Sequence, residues 1–190
     1  MHFDFGTVIE YCWVVFGFVW LVGLAFTKRT VRAEPDFQRL AQFAVIALGY
    51  VLIGTPWLQF GWLGLRLFPA SQDLEVAGFV LTAVGCLFAI WARLTIGSNW
   101  SGRATVKENH ELITRGPYSL ARHPIYTGLI LATLGTALEA GKVRAALGFG
   151  LVAASLAIKI GREEKLMHET FPEAYPAYRA RVKTILPWIF

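Results

Sequence analysis

The stretch LITRGPYSLARHPIYTG, at Leu112–Gly128, places arginine, histidine and tyrosine side chains directly before a long apolar segment. Glu163 and Glu164 follow the next apolar segment, about 35 residues further along the chain. Ionisable side chains are costly at the mouth of a membrane bundle, and those that occur there usually have a function. The two polar clusters therefore indicate a chemical site at a membrane surface.

The composition is that of an integral membrane protein. Of the 190 residues, 55% are hydrophobic and only 16% are charged, whereas soluble domains average about 25% charged residues. Mean hydropathy is +0.49. A membrane-spanning helix needs about 20 apolar residues. We therefore predict a single all-α membrane domain over residues 1–190, an integral bundle of five transmembrane helices. The predicted spans are 8–26, 40–60, 74–94, 124–140 and 142–160.

Only a few residues separate the fourth and fifth predicted spans, which is typical of a tight helical hairpin. Both spans carry small residues, which allow helix backbones to approach closely within a membrane. We expect these residues to pack the two helices of the hairpin against each other. They are Gly128, Ala132, Gly135 and Ala137 on the fourth span and Ala145, Gly148, Ala153 and Ser155 on the fifth.

The distribution of Lys and Arg predicts the orientation. Fifteen of the 18 basic residues lie in the segments 27–39, 93–123 and 159–183, which share one side of the membrane if there are five spans. Cytoplasmic loops carry the excess of positive charge. The N-terminus is therefore predicted outside and the C-terminus in the cytoplasm, with both polar clusters at the cytoplasmic face. Basic residues that flank apolar spans favour anionic lipid headgroups over nucleic acid as partners.

The segment after the fifth span is predicted to form cytoplasmic amphipathic helices. Glu163, Leu166 and Met167 recur at helical spacing, and Pro172 should end that helix. Tyr175 and Tyr178 indicate a second, shorter helix.

Arg122-His123-Pro124 predicts a rigid polar rim at the start of the fourth helix. Proline is favoured at the first position of a helix, where its missing N–H is not needed. The alternative is that Arg122 and His123 only anchor the helix at the interface. Tyr118 and Tyr126 add aromatic faces and hydroxyl groups nearby, and this density favours a ligand site.

Glu163 and Glu164 have two interpretations. Carboxylates just after a span are often solvated. Adjacent helical residues point about 100° apart, however, so one can face the bundle while the other faces water. A carboxylate that faces an aromatic, basic cavity would suit a cationic ligand. Lys159 lies one turn before Glu163 and can pair with it.

Four segments together resemble the isoprenylcysteine carboxyl methyltransferase family. The resemblance covers about the last 95 residues, and the N-terminal spans match only in hydropathy. The segments are GSNW at Gly97–Trp100, HELITRGPY at His110–Tyr118, RHPIYTG at Arg122–Gly128 and EEKLMHETFPEAYPAY at Glu163–Tyr178.

The resemblance implies an integral membrane methyltransferase that uses S-adenosylmethionine. It implies a cofactor-binding region over about 97–128 and 159–187, and a lipophilic or prenylated acceptor that enters from the bilayer. Candidate catalytic residues are Lys159, Arg162, Glu163 and Glu164. The family often has an arginine at the position of Lys159. Candidate cofactor-binding residues are His110, Leu112, Ile113, Tyr118, Arg122, His123, Pro124, Tyr126 and Glu163.

The expected activity is carboxyl O-methylation of an isoprenylcysteine-like substrate. Methylation of a phospholipid amine or a small thiol stays open, and would need a base such as Glu163, Glu164 or His123. An NADPH-dependent membrane reductase and a non-enzymatic membrane subunit are alternatives from other classes. No His/Cys spacing indicates a metal site.

Overall fold

The computed structural model describes residues 4–28, 30–33, 36–100, 105–107 and 111–185. Six α-helices dominate it, and two short strands form a small sheet. The elements are α1 (Phe5–Leu24), β1 (Thr30–Ala33), α2 (Asp36–Gly54), α3 (Gln72–Ile96), β2 (Thr105–Lys107), α4 (Pro124–Ala140), α5 (Val143–Thr170) and α6 (Ala174–Arg181).

Helix boundaries follow local sequence signals. Asp4 caps α1 by accepting a hydrogen bond from the Thr7 N–H at 3.2 Å, and Ser71 caps α3 in the same way. The second predicted span, 40–60, was wrong at its C-terminal end, because α2 ends at Gly54. Pro56 accounts for the early end, since the residue before a proline is disfavoured in the α region.

Within the part of the chain that the structure describes, four helices, α1, α2, α3 and α5, are long and apolar enough to cross a membrane. Helix α4 is shorter, at 17 residues. Many large apolar side chains on the outer faces of the bundle are exposed, including Phe18 and Leu21 on α1 and Leu87 on α3. Such a surface is unstable in water and suits contact with lipid chains.

Most small residues of α4 pack against α3 and not against α5. A side chain at Gly85 of α3 would overlap backbone atoms of Gly128 and Ala132, and one at Gly135 would overlap Gly78 and Thr82. Close backbone approach of this kind is the usual role of small residues between membrane helices. The prediction that they pack the two helices of the hairpin together is confirmed only for Ala137 and Ala145, which share a buried cluster with Ile53, and was wrong for Gly128, Ala132 and Gly135.

Helix α5 uses its own small residues to pack against α2. A side chain at Gly148 would overlap the Gly49 carbonyl and the side chain of Ile53. The hairpin joint itself is as tight as predicted, because only Gly141 and Lys142 separate α4 from α5. Gly141 adopts the left-handed conformation (φ 60°), which a residue without a Cβ adopts at little cost.

One end of the bundle holds the segments that the sequence singled out. Strand β1 pairs antiparallel with β2, and the Lys28 N–H donates to the Ser98 carbonyl at 2.9 Å. The described parts of the 27–39 and 93–123 segments therefore lie together, as the distribution of basic residues predicts. The small sheet was not predicted from the sequence.

Candidate active site

A cavity opens at this end of the bundle, between the end of α3, the segment before α4, the last turns of α5 and helix α6. Aromatic and apolar side chains form most of its wall, and a few charged groups converge on it. Its lining residues are Ile96, Asn99, Trp100, Glu111, Leu112, Ile113, Tyr118, Arg122, His123, Pro124, Ile125, Tyr126, Glu163, Leu166, Met167, Tyr175 and Tyr178.

The start of α4 is fixed by backbone hydrogen bonds to residues 182–185, the C-terminal segment. Pro124 is the first residue of the helix and His123 is its N-cap. The N–H groups of Arg122 and His123 donate to the carbonyls of Lys183 and Thr184, at 2.8 and 3.0 Å. The Thr127 hydroxyl donates to the Ile185 carbonyl at 2.6 Å. The C-terminal segment thus holds the rim of the cavity in place.

Arg122 forms a two-pronged ion pair with Glu164. Its Nε and Nη2 atoms donate to the two carboxylate oxygens at 2.8 and 3.1 Å, a geometry that guanidinium groups favour. Nη2 also donates to the Thr184 hydroxyl at 2.8 Å, and Nη1 donates to the Val182 carbonyl. Arg122 therefore ties α5 and the C-terminal segment to the start of α4.

His123 lies between the two carboxylates. Its Nε2 atom is 3.1 Å from Glu164 Oε1, and its Nδ1 atom is 3.6 Å from Glu163 Oε2. Burial alone would lower the pKa of His123, but the contacts with Glu163 and Glu164 outweigh it. The pKa of His123 therefore lies above its ordinary value. The two neighbouring carboxylates therefore favour the protonated form of the imidazole.

Two acidic residues line the cavity, and Glu163 is the less exposed of them, since Glu111 is exposed. The Tyr126 hydroxyl donates to Glu163 Oε1 at 2.6 Å, and Lys159 Nζ is 3.8 Å from the same oxygen. The Lys159–Glu163 pair was predicted from their spacing and is confirmed. The suggestion that one of the two carboxylates faces water was wrong, because the side chains of Glu163 and Glu164 are only 19% and 14% exposed.

Three tyrosines in the wall of the cavity keep their hydroxyl groups protonated. Tyr118, Tyr175 and Tyr178 are buried, and the Tyr178 hydroxyl donates to the Tyr118 carbonyl. Burial, and then the charge of Glu163, raises the pKa of Tyr118 well above its usual range. Burial likewise raises the pKa of Tyr175 and Tyr178. These side chains contribute neutral hydroxyl donors and ring faces.

The remaining predicted site residues have different positions. Leu112 and Ile113 line the cavity. Lys159 is buried behind Glu163, with its ammonium 5.5 Å from the ring centroid of Tyr126, and it is not a lining residue. Arg162 is half-buried on α5 and also does not line the cavity. His110 lies outside the described residues.

Several lining residues were absent from the predicted set. Asn99 and Trp100 come from GSNW, Leu166, Met167, Tyr175 and Tyr178 from EEKLMHETFPEAYPAY, and Glu111 from HELITRGPY. All of these belong to the segments that carried the family resemblance. The repeated Tyr at 175 and 178, at helical spacing, was the signal that could have identified the α6 wall.

The arrangement suits a ligand that has both a cationic and an aromatic part. A buried carboxylate opposite ring faces and neutral hydroxyl groups favours positive charge on the ligand. The parallel rings of His123 and Tyr126, with centroids 5.6 Å apart, add a flat aromatic surface. Among the described residues, no group of three or more His, Cys, Asp or Glu side chains has the arrangement of a metal site.

The protonation of His123 predicts how stability changes with pH. Its pKa in the unfolded chain is about 6.5, and its folded-state pKa is raised. The folded protein therefore binds more protons, so His123 stabilises it fully below about pH 6.5 and this contribution is lost as pH rises through the folded-state pKa. We expect the thermal midpoint in detergent to fall over that range, and to fall less in His123→Gln.

His168→Gln is the matched control, because His168 is exposed on α5. It should keep the pH dependence of the unmodified chain. An unchanged pH dependence in His123→Gln would contradict the protonated state assigned to this imidazole.

The fold and the cavity define a class: a helical membrane protein with a polar, aromatic ligand site at one end of its bundle. The comparisons with known proteins give the family. The sequence model of the isoprenylcysteine carboxyl methyltransferase (ICMT) family matches residues 77–169. This range contains α4, most of α3 and most of α5. The chain belongs to this family.

Three relatives show the extent of the similarity. The chain is 31% identical over 150 residues to a protein-S-isoprenylcysteine O-methyltransferase of Xenopus laevis, which covers 75% of this chain and 52% of the relative. It is 30% identical over 129 residues to a probable enzyme of the same name in Oryza sativa, covering 65% and 68%. It is also 31% identical over 160 residues to the cobalt-zinc-cadmium resistance protein CzcN of Cupriavidus metallidurans, covering 82% and 68%.

A solved structure shares the fold. The eukaryotic intramembrane Ras methyltransferase ICMT superposes with a TM-score of 0.58 at 25% identity, over 78% of this chain and 53% of that one. The chain spans about half the length of the Xenopus relative and of the solved structure, and about two thirds of the Oryza relative.

Proposed function

We propose that this protein transfers the methyl group of S-adenosylmethionine to the carboxylate of a lipophilic, isoprenylcysteine-like acceptor at the membrane surface. The observation that carries the proposal is the buried Glu163 carboxylate in an aromatic cavity, in a chain of the isoprenylcysteine carboxyl methyltransferase family. The relatives named as protein-S-isoprenylcysteine O-methyltransferases support the acceptor class.

The residues present fit S-adenosylmethionine. This cofactor combines a sulfonium and an ammonium cation with an adenine ring. We assign Glu163 to its positive charge, and Tyr118, Tyr126 and the His123 ring to its aromatic and polar parts. Leu112, Ile113 and Pro124 would supply apolar contacts, and His110 remains a predicted contact outside the described residues. Arg122 and Glu164 act through the rim, by holding the start of α4 against the C-terminal segment.

The bound cofactor supplies an already activated methyl group. The protein needs no nucleophile for this transfer, and a carboxylate acceptor is ionised near pH 7, since its pKa in water is about 4. The chain contributes by positioning the two reactants and by excluding water from them. Well-oriented reactants can gain about 7–11 kcal/mol from that source.

An acceptor that must lose a proton is a poorer match to this site. Both ring nitrogens of His123 face carboxylates, at 3.1 and 3.6 Å, and its pKa is raised by those contacts, with burial opposing them. These contacts favour the protonated imidazole, which cannot accept a further proton. His123 is therefore a poor base for an amine or a thiol acceptor, which favours a carboxylate.

Lys159 is our candidate for orienting the acceptor carboxylate. It is buried next to the cavity wall, near Glu163 and the Tyr126 ring. An ammonium group attracts a carboxylate as a point charge, without the two-pronged geometry of arginine. Arg162 remains a proposed second cation, although it lies on another side of α5.

For the membrane arrangement we propose five spans, with α4 as the fifth crossing beside the four longer helices. Its 17 residues give a length of about 26 Å, slightly less than the roughly 30 Å of a bilayer core. Consecutive helices alternate in direction, and the basic segments lie at the cavity end. We place that end in the cytoplasm and the N-terminus outside. The last turns of α5 and helix α6 would lie at the cytoplasmic surface.

The function is tested by calorimetric titration of the detergent-solubilised protein with S-adenosylmethionine, S-adenosylhomocysteine and NADPH. Binding of the two sulfur compounds alone is expected. A labelled-methyl assay should then compare prenylcysteine, phospholipid-amine and thiol acceptors, and the prenylcysteine should be methylated fastest. Binding of NADPH alone would indicate a reductase and contradict the proposed methyltransferase. Methyl transfer to an amine or thiol alone would refute the proposed acceptor class.

The role of Lys159 gives a separate prediction. Lys159→Met keeps much of the side-chain volume but removes the charge. We expect turnover to fall about 100-fold while the dissociation constant for S-adenosylmethionine changes less than fivefold, because Lys159 does not line the cavity. One tenfold change in rate corresponds to about 1.4 kcal/mol.

Lys159→Arg should recover most of the turnover, and Lys165→Met on the exposed face of α5 serves as the matched control. A loss of cofactor binding in Lys159→Met, with turnover per bound cofactor unchanged, would show that Lys159 only supports Glu163.

A further inference from the structure

A second and larger cavity lies between helices α1, α2, α4 and α5, away from the candidate active site. Its volume is about 940 Å³, near the upper end of the range of roughly 300–1,000 Å³ for small-molecule sites. Aromatic side chains from α1 and α2 line its length. They are Trp13, Phe16, Trp20, Phe43 and Tyr50.

One end of this cavity is charged. The carboxylates of Glu10, Glu75 and Glu139 and the cationic side chains of Arg66, Lys142 and Arg144 all line it. This end is remote from the active site. Glu139 is near the last residue of α4, whereas the active site surrounds its first residue, and 15 residues of helix correspond to about 22 Å.

These charges are not paired with one another. Among the described residues, no ion pair joins the three carboxylates to the three cations. Asp4 caps α1, with hydrogen bonds from Thr7, and its carboxylate lies near that of Glu139, so it adds negative charge beside this end. The six groups that line the cavity are therefore separate negative and positive charges that cancel in formal sum.

Arg144 gives an independent sign of a missing ligand. It is only 4% exposed, and its Nη1 atom donates to the carbonyls of Leu52 and Ile53 at the end of α2. Its Nε atom is buried and has no hydrogen-bond partner within the part of the chain that the structure describes. An unsatisfied buried donor costs about 1–3 kcal/mol, so a ligand acceptor at this position would be stabilising.

We propose that this cavity binds a phospholipid with a phosphoethanolamine headgroup. The ammonium group would contact the carboxylates of Glu10, Glu75 and Glu139, and the phosphate would contact Lys142 and the other two cations. An acyl chain would fill the aromatic part of the cavity. A zwitterion matches a site with cancelling but separate charges, whereas an anionic headgroup would be repelled by three carboxylates.

The free ammonium group also distinguishes this headgroup from choline. An ethanolamine ammonium can donate three hydrogen bonds to carboxylates, and a trimethylated nitrogen can donate none. The apolar end of the cavity is formed in part by Trp20 and Leu129, which pack against the cluster of Ala92, Tyr118 and Ile125. A bound acyl chain would therefore support the wall behind the active-site cavity.

The test is native mass spectrometry and thermal unfolding of the detergent-solubilised protein with dioleoyl phosphatidylethanolamine, phosphatidylcholine or phosphatidylglycerol. We expect one phosphatidylethanolamine per chain, bound at least tenfold more tightly than the other two lipids, and a higher thermal midpoint with it. Equal binding of all three, or a preference for phosphatidylglycerol, would overturn the proposal.

Charge-removing variants locate the site. Glu10 is exposed and Lys142 is half-buried, and Glu10→Gln and Lys142→Gln should each weaken phosphatidylethanolamine binding at least fivefold. Glu173→Gln and Lys165→Gln, exposed near the other end of the bundle, are the matched controls. Unchanged lipid binding in the first pair would overturn the assignment.

Competition separates this site from the acceptor site. Displacement of phosphatidylethanolamine by a prenylcysteine would show that the cavity belongs to the methyl acceptor, and would refute the lipid site. Titration of the same preparations with S-adenosylmethionine reports on the active site separately. Failure of the lipid-site proposal can therefore be distinguished from failure of the proposed function.

Discussion

Glu163→Gln is expected to weaken the binding of S-adenosylmethionine at least about 100-fold. The carboxylate lines the cavity, and glutamine keeps its shape and can still accept the hydrogen bond from the Tyr126 hydroxyl. Only the charge is lost. Removal of one partner from a buried ion pair costs about 3–5 kcal/mol, and a tenfold change in affinity is about 1.4 kcal/mol. Calorimetric titration measures the loss directly.

The two sulfur compounds show which positive charge Glu163 contacts. S-adenosylhomocysteine lacks the sulfonium charge but keeps the ammonium group. Equal losses for both compounds would place the ammonium group at Glu163, and a larger loss for S-adenosylmethionine would place the sulfonium there. Glu173→Gln, exposed before α6, should bind both normally. Normal binding by a folded Glu163→Gln variant would contradict the proposed position of the cofactor.

Local signals in the sequence were sufficient to predict several features of the helices that surround the site. Pro124 begins α4 as its position before an apolar run predicted. The i,i+4 spacing of Lys159 and Glu163 predicted their ion pair. Pro172 follows the end of α5 at Thr170. Each of these features depends on residues within one or two helical turns, so that a single stretch of sequence contains the information.

Features that depend on distant partners could not be predicted in this way. Small residues on α4 indicate close packing, but they do not indicate which helix is the neighbour, and the main neighbour is α3. Glu164 turns inward because Arg122 and His123, about 40 residues earlier, contact its carboxylate. The docking of the C-terminal segment on the start of α4 supplies that arrangement, and no periodicity within α5 encodes it.

Arg122→Met is expected to lower the free energy of unfolding by about 3–5 kcal/mol, the cost of leaving a buried carboxylate without its main partner. Arg122 is 9% exposed, and its guanidinium contacts Glu164, the Val182 carbonyl and the Thr184 hydroxyl. Its loss would remove the side-chain contacts that hold the C-terminal segment to the rim. For a chain of this length, the thermal midpoint should fall by roughly 6–20 °C.

Arg179→Met is the matched control, since the Arg179 Nε atom lies 3.6 Å from the same carboxylate but its side chain is 58% exposed. Exposed ion pairs contribute about 0–1 kcal/mol, so this variant should unfold within a few degrees of the unmodified chain. The double variant Arg122→Met/Glu164→Leu should recover part of the lost stability, because it no longer buries an unpaired charge. If Arg179→Met is as destabilising as Arg122→Met, the Arg122–Glu164 pair is not what holds the rim of this site together. The same conclusion follows if the double variant loses more stability than the two single variants lose in sum.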